Sequence, residues 1–346
     1  MSVQDLGRYN VNLTFPTVGR FEGAAADVTV RTMASPSSGG LTISQILALL
    51  EPLGLAGLDR RSVEAYHLIA EASNLAFVDR IAYLGDDEFV DLPTQGFLDD
   101  EYVAQRRQLI DPGQARDSYE PGDPFAFQPG DGYRVDARDV ERFQHLSNAS
   151  GRRSNGPPTD AVSVENTGQT THFTTADGDG NLVSWTSTIE QLFGSGNMVP
   201  GRGFMLNNEL TDFDSFPGGP NEVQPEKRPL SSTSPTVVFR DGEPFFTVGS
   251  PGGFTIITTV SQIILNVAEF GMSLEEAVAE PRIFAFGDGR LFAEEAIPES
   301  VRTGLEALGH DVVTVDSLGN AQAIQVDGDT YVGVGDFRRD SSAAGP

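Results

Sequence analysis

A threonine hydroxyl becomes a usable nucleophile when a base lies beside it, and Thr170 stands where one could be made. It heads Thr170-Thr171-His172-Phe173-Thr174, whose β-branched residues predict a strand. If the bond from Gln169 to Thr170 is cut, the freed α-amine of Thr170 lies within reach of its own hydroxyl. Such an amine titrates at about 7.7 to 8.0, in the range a general base needs. Threonine pairs are also common in strands for packing reasons alone, so residue chemistry leaves both readings open. A second stretch could serve the same reaction. Gly249-Ser250-Pro251-Gly252-Gly253 is a turn leading into a helix predicted from about Thr255 to Phe270, and exposed amides at a helix start can bind an oxyanion. Glycines in such a turn equally allow close packing, and the lysine of a phosphate loop is missing.

These residues need elements to position them. Asp177-Gly178-Asp179-Gly180-Asn181 predicts a tight turn, and Leu182 to Thr188 predicts the strand that returns against Thr170. Asp241-Gly242 predicts a second hairpin between Pro235–Arg240 and Pro244–Val248. Upstream, a strand is expected at Val28 to Met33 after an extended lead from Asn10 to Phe15. Ser35 to Gly40 reads as a turn cluster, followed by a helix carrying Ile43, Ile46, Leu47 and Leu50, with Thr42 or Ser44 as its cap. A longer helix runs from about Ser62 to Leu84, its apolar side formed by Val63, Tyr66, Ile69, Ala70, Phe77, Ile81 and Leu84, with His67 close by as a packed structural histidine. From Pro112 to Asn166 the chain turns rich in Pro, Gly, Asp and Arg and predicts a long surface connection, with at most a short helix near Val140 to Leu146. That connection suits a chain cut just beyond it, and suits an ordinary interdomain loop equally well. Ser273-Leu274-Glu275-Glu276 predicts a capping box. A helix at Glu299 to Leu308 and strands at Asp311–Val315, Ala323–Val326 and Tyr331–Val334 complete the chain. Two groups of strands with helices before and after them imply an α+β fold of two sheets packed face to face with helices outside.

The charge balance excludes some partners. Fifty acidic residues against 23 basic give a formal charge of −27, and Lys227 is the single lysine. Nucleic acid and an anionic membrane are therefore poor partners. Calcium binding, an acidic interaction tail and adaptation to concentrated salt all produce acidic chains; spread along the whole sequence, these acids fit salt adaptation best. With no cysteine there are neither disulfides nor thiolate metal sites, and His67, His145, His172 and His310 form no close-spaced metal pair. Met1 leads into Ser2-Val3-Gln4-Asp5 without a basic stretch and apolar core, so the sequence predicts no signal peptide, no transmembrane span and a cytoplasmic location.

Five motifs follow one another in a specific order: Thr170 to Thr174, Thr186-Ser187-Thr188, Leu206 to Phe213, Pro229-Leu230-Ser231-Ser232 and Gly249 to Gly253. With Ser35 to Gly40, His67 to Asp86 and Asp336-Phe337-Arg338, this order resembles the gamma-glutamyltransferases, or glutathione hydrolases, over nearly the whole chain. The resemblance implies a four-layer αββα sandwich of the N-terminal nucleophile hydrolase type. It implies self-cleavage between Gln169 and Thr170 into a heterodimer: residues 1–169 as the C-terminal portion of the large subunit, ending in a linker at about 112–166, and 170–346 as the small catalytic subunit.

Residue by residue, the resemblance makes Thr170 the nucleophile and Thr188 the residue that orients it. Glu209 and Asp212 would grip the substrate α-ammonium, Ser231 and Ser232 its α-carboxylate, and Gly252 with Gly253 would form the oxyanion hole. Glu190 stands where the family has an asparagine that helps hold the amine. A carboxylate there would strengthen ammonium binding, repel the α-carboxylate or mark a different acyl group. The implied substrate is glutathione or another γ-glutamyl compound; the acceptor is water, an amino acid or a dipeptide; no cofactor or metal is needed. The family's large subunit has an earlier part carrying an arginine for the α-carboxylate, which leaves three readings open: the sequence is a fragment, a separate N-terminal chain supplies that part as a partner, or the substrate differs. A related amidohydrolase with another acyl specificity and an inactive remnant are the competing functions.

Overall fold

Strand alternation and two glycine turns account for the centre of this computed structural model, which describes residues 7, 8, 11–129 and 170–345. Its largest sheet has the order β1-β2-β5-β6-β10-β11, antiparallel throughout, from strands Thr17–Glu22, Asp27–Thr32, Thr236–Arg240, Glu243–Gly249, Gln322–Asp327 and Thr330–Gly335. Asp241 and Gly242 join β5 to β6 with φ of 55° and 84°, the left-handed pair that a tight hairpin turn requires. On one face lie α1 (Gly39–Leu50), α2 (Val63–Tyr83) and α4 (Thr255–Ala268), sharing one core with Phe21, Val30, Val238, Phe246 and Val248 of the sheet. Because side chains alternate along a strand, Thr247 and Gly249 of β6 point the other way. There they meet the hairpin of β3 (Thr170–Ala176) and β4 (Leu182–Thr188): Thr174 bonds Thr247, and the His172 ring fills the space beside Gly249, where a Cβ would come within 2.2 Å of it. Helices, sheet and second sheet thus stack as the predicted sandwich requires.

A third sheet, β7 (Ile283–Phe284), β8 (Arg290–Glu294) and β9 (Asp311–Val315), borders α2 with α5 (Leu274–Ala279) and α6 (Glu299–Ala307). Ser273 and Glu276 form the predicted capping box at α5. The Asp336-Phe337-Arg338 motif is structural. Arg338 pairs with Glu294 at 2.6 Å and Asp336 at 3.1 Å, and Asp336 pairs with Arg282 at 2.8 Å, a buried ion network tying the chain end to β8.

Several expectations need correction. The first helix begins at Gly39 after Ser38; Thr42 and Ser44 lie inside it, with hydroxyls bonded to the carbonyls of Ser38 and Gly40 rather than capping. Helix α2 does not present one apolar side, because Glu71, Asn74 and Asp79 on its other faces are buried too. Asp79 accepts from Gln45, Tyr102 and Arg106, so polar bonds replace solvent on that face. The connection does not start at Pro112: Ala115 and Tyr119 are buried, and Pro124–Phe127 form a short 3-10 helix packed on Tyr83. Strand β1, helix α3 (Asp100–Arg107) and the β7–β8 pair are elements the sequence did not signal. The expected helix at Val140–Leu146 and the residue Gln169 lie outside the described residues.

Candidate active site

Hairpin register places the nucleophile candidate. Thr170 and Thr188 are directly opposite across β3 and β4, and Thr170 Oγ1 donates to Thr188 Oγ1 at 3.0 Å. Thr188 Oγ1 also accepts from the Glu190 amide at 2.9 Å. Directly opposed side chains can touch, whereas a register shifted by one would put them on opposite faces.

Both threonines open onto a cavity of about 480 Å³ that also reaches Glu190, Asp212, Ser231, Ser232 and Gly253. Glu190 has φ of 70°, a left-handed conformation that asparagine tolerates better than glutamate, and its carboxylate accepts from Asn208 Nδ2 at 2.9 Å. Glu209 and Asp212 sit on a short 3-10 helix, Glu209–Asp212. Burial, then the Asp212 charge and hydrogen bond, push Glu209 up to about 7; burial, then Glu190, push Asp212 up to about 6. Both carboxyl groups therefore hold protons more tightly than free ones, as expected where carboxyl groups crowd in one site. Glu209 does not itself line the cavity; it stands behind Thr188, whose hydroxyl it meets.

Two segments far apart in sequence meet beside the cavity. Ser38 N and Oγ both donate to the Ser231 carbonyl, at 2.9 and 2.7 Å, and Ser231 N donates to the Pro36 carbonyl at 3.0 Å. The Ser35–Gly40 cluster is therefore the cradle of the Ser231-Ser232 loop. Ser231 Oγ donates to Thr233 Oγ1 at 3.2 Å, while Ser232 Oγ accepts from Arg80 Nη2 at 3.0 Å. Gly252 and Gly253 have φ of 135° and 58°, and their amides donate to no acceptor among the described residues. Only Gly253 of the pair lines the cavity; a Cβ on Gly252 would come within 2.4 Å of Thr255 Oγ1.

Arg80 is the wall residue that sequence reasoning missed. It sits in the last turn of α2, three residues after Phe77 and four before Leu84 on the apolar side, a charged residue at a core-facing position, and is 3% exposed. The histidine expectation also changes in space. His67 Nδ1 and His310 Nε2 meet at 2.8 Å and, with Glu71, form a buried group whose donor atoms all lie within 4.8 Å of one another. The rings already bond each other, His67 bonds the Asp111 carbonyl and Tyr119 bonds Glu71, so His67 serves as the packed residue expected. Among the described residues no helix is long and apolar enough to cross a membrane.

The family model described as Gamma-glutamyltranspeptidase matches residues 1–346. The glutathione hydrolase proenzyme of Bacillus subtilis (strain 168) is 44% identical over 349 residues, covering 100% of this chain and 55% of that protein. The acylase ACY 1 proenzyme of Pseudomonas sp. (strain SE83) is 34% identical over 341 residues, covering 98% of this chain and 53% of the other. The chain spans about half the length of the curated relatives it matches. Cephalosporin acylase from Bacillus halodurans superposes with a TM-score of 0.79 at 24% identity, over 99% of this chain and 55% of that one. That likeness bears out the α+β fold expected from the sequence. With the family model matched along its full length and such a relative at 44% identity, the chain belongs to the gamma-glutamyltranspeptidase family.

Proposed function

We propose that the chain is an autoprocessing γ-glutamyl hydrolase or transferase acting through an ester on Thr170. The observation that carries this is the pairing of Thr170 Oγ1 with Thr188 Oγ1 at 3.0 Å on a cavity lined by both carboxylates and serine hydroxyls. In processing, Thr170 Oγ1 attacks the Gln169 carbonyl, the acyl group passes from nitrogen to oxygen, and water releases the ester. Residues 1–169 and 170–346 then form the heterodimer. In turnover the new α-amine takes the hydroxyl proton while Oγ1 attacks the γ-carbonyl of glutathione or a similar amide. The leaving amine takes that proton, and water, an amino acid or a dipeptide then accepts the γ-glutamyl group. Splitting amide cleavage at an ester gives two lower barriers, and the unbonded Gly252 and Gly253 amides supply donors for both tetrahedral oxyanions. Glu190 and Asp212 on the cavity suit the α-ammonium, with Glu209 adding to their field from behind Thr188, and Ser231 and Ser232 suit the α-carboxylate.

A second reading, an amidohydrolase of other acyl specificity, draws on Glu190 and on the acylase relative. One comparison separates them: processed protein offered chromogenic γ-glutamyl and glutaryl anilides, which differ in the α-amine, with Thr170→Ala as the uncut control. Preference for the γ-glutamyl anilide supports the first reading, because a substrate without the amine leaves the carboxylates unpaired. Equal rates support the second. Absence of both Thr170-dependent turnover and a new N-terminus at Thr170 refutes both.

The acidic composition supports adaptation to concentrated salt. With 50 acidic residues and 23 basic ones, the fold is held against its own repulsion by screening.

A further inference from the structure

Arg80 is a buried cation without a carboxylate. Its guanidinium donates from Nε to Ser38 Oγ at 2.7 Å and from Nη2 to Ser232 Oγ at 3.0 Å, and among the described residues no carboxylate lies within ion-pairing distance. Phe254 covers it, with the charge 4.9 Å from the ring centroid. Burial lowers its pKa to about 10, and Asp212 and Asp214 offset part of that from farther away. A guanidinium this buried is costly unless an anion reaches it, and it lines the cavity shared with Thr170.

The two hydroxyls it holds differ in one respect. Each lends a lone pair to Arg80, so each must aim its own proton elsewhere. Ser38 sends its proton to the Ser231 carbonyl at 2.7 Å, which fixes the serine loop. Ser232 Oγ donates to no acceptor among the described residues, and Ser232 lines the cavity. With one lone pair held by Arg80 and its proton unclaimed among the described residues, Ser232 Oγ is a donor open to an acceptor in the cavity.

We infer that Arg80 is the positioning residue that makes Ser232 a dedicated donor to the substrate's α-carboxylate and supplies the positive field opposite Glu190 and Asp212. The inference rests on the γ-glutamyl reading and deepens it. Carboxylates and an arginine-backed hydroxyl on one cavity select a zwitterionic α-amino acid head group, and reject an acyl chain that keeps the amine but lacks the carboxylate.

The test uses the γ-glutamyl anilide and the 4-aminobutyryl anilide, which differ in the α-carboxylate alone, on processed wild type, Arg80→Met, Arg80→Lys and Ser232→Ala. Wild type should prefer the γ-glutamyl anilide in kcat/KM. Arg80→Met should reduce that preference on the order of tenfold or more, mainly through KM; Arg80→Lys should restore much of it. Ser232→Ala should also reduce it, and the double variant should lose little beyond Arg80→Met, because one residue acts through the other. Should Arg80→Met fail to fold, Arg80→Lys and Ser232→Ala still read the preference. Equal losses on both anilides would leave Arg80 a scaffold residue and overturn the inference while the γ-glutamyl reading stands. Independent, multiplying effects of Arg80 and Ser232 would overturn the coupling between them. No wild-type turnover of the γ-glutamyl anilide would remove the reading and the inference together.

Discussion

Replacing Thr188 by valine keeps the side-chain shape and removes one oxygen; besides its contact with Glu209, the consequence can be worked from the two hydrogen bonds that oxygen accepts. That oxygen accepts from Thr170 Oγ1 at 3.0 Å and from the Glu190 amide at 2.9 Å. Loss of the first removes a net stabilisation of about 0.5–1.5 kcal/mol from the orientation of the nucleophile, a two- to twelvefold fall in kcat. Loss of the second leaves a partly buried N–H unmatched, at about 1–3 kcal/mol. It does so where Glu190 already holds φ at 70°, so the loop is free to relax away from the cavity. With both effects, kcat/KM should fall between about tenfold and about a thousandfold. The orientation part appears in kcat and in the half-time of self-cleavage followed on a denaturing gel. The loop part appears in KM, because Glu190 faces the substrate. Thr188→Ser, which keeps the oxygen, should stay within about tenfold of wild type on both measures. A Thr188→Val protein that cleaves itself and turns over the γ-glutamyl anilide at wild-type rates would refute the assigned role of this pair.

The raised carboxyl groups make substrate selection pH-dependent. An ammonium needs ionised partners, so the ratio of kcat/KM for γ-glutamyl over glutaryl anilides should fall as pH drops through about 7 and 6, where Glu209 and Asp212 take up protons. Taking the ratio cancels the Thr170 amine, which serves both substrates; a ratio flat from pH 5 to 8 would refute it. The same shifts act on stability with the opposite sense. Above the ordinary carboxylate range the folded state holds protons that the unfolded chain has lost, so these two groups should lower unliganded stability as pH rises to about 7. Salt should act strongly as well. The screening length grows from about 3 Å at 1 M to about 10 Å at 0.1 M, so the melting temperature should climb steeply with salt, and one unchanged between roughly 0.1 and 2 M would end the salt-adaptation proposal.

What the sequence made legible was local. The hairpin at Thr170 was readable because turn residues and β-branched runs lie within one short window, and its register then brings Thr188 to Thr170 without further information. The capping box at Ser273 and the turn at Asp241-Gly242 were readable for the same reason. Strand β7 escaped because two residues are too few to show a period, and the edge strand β1 because Gly19, Arg20 and Glu22 dilute its run of β-forming residues, although each pairs with the next strand in the chain. Helix α2 misled in the other direction. Its polar residues signalled a solvent face, while Asp79 is in fact enclosed by Gln45, Tyr102 and Arg106, and Glu71 by Tyr119.

Arg80 shows why the remaining part of the site could not be read. Its partners Ser38 and Ser232 are 42 and 152 positions away, so no window of sequence contains the group that these three residues form. A motif marks Ser231 and Ser232 as hydroxyls, but a hydroxyl can donate or accept, and its type alone does not say which. The direction is set by the guanidinium behind it. The folded chain thus adds the electrostatic half of the site: carboxyl groups gathered near Thr188, of which Glu209 and Asp212 have raised affinity for protons, and a buried cation on the same cavity without an ion-pair partner among the described residues. Each wall is destabilised alone, the acids by mutual repulsion and the arginine by lost hydration. A zwitterionic head group relieves both at once, which is why selectivity for it should reside in the pair of walls rather than in any one residue.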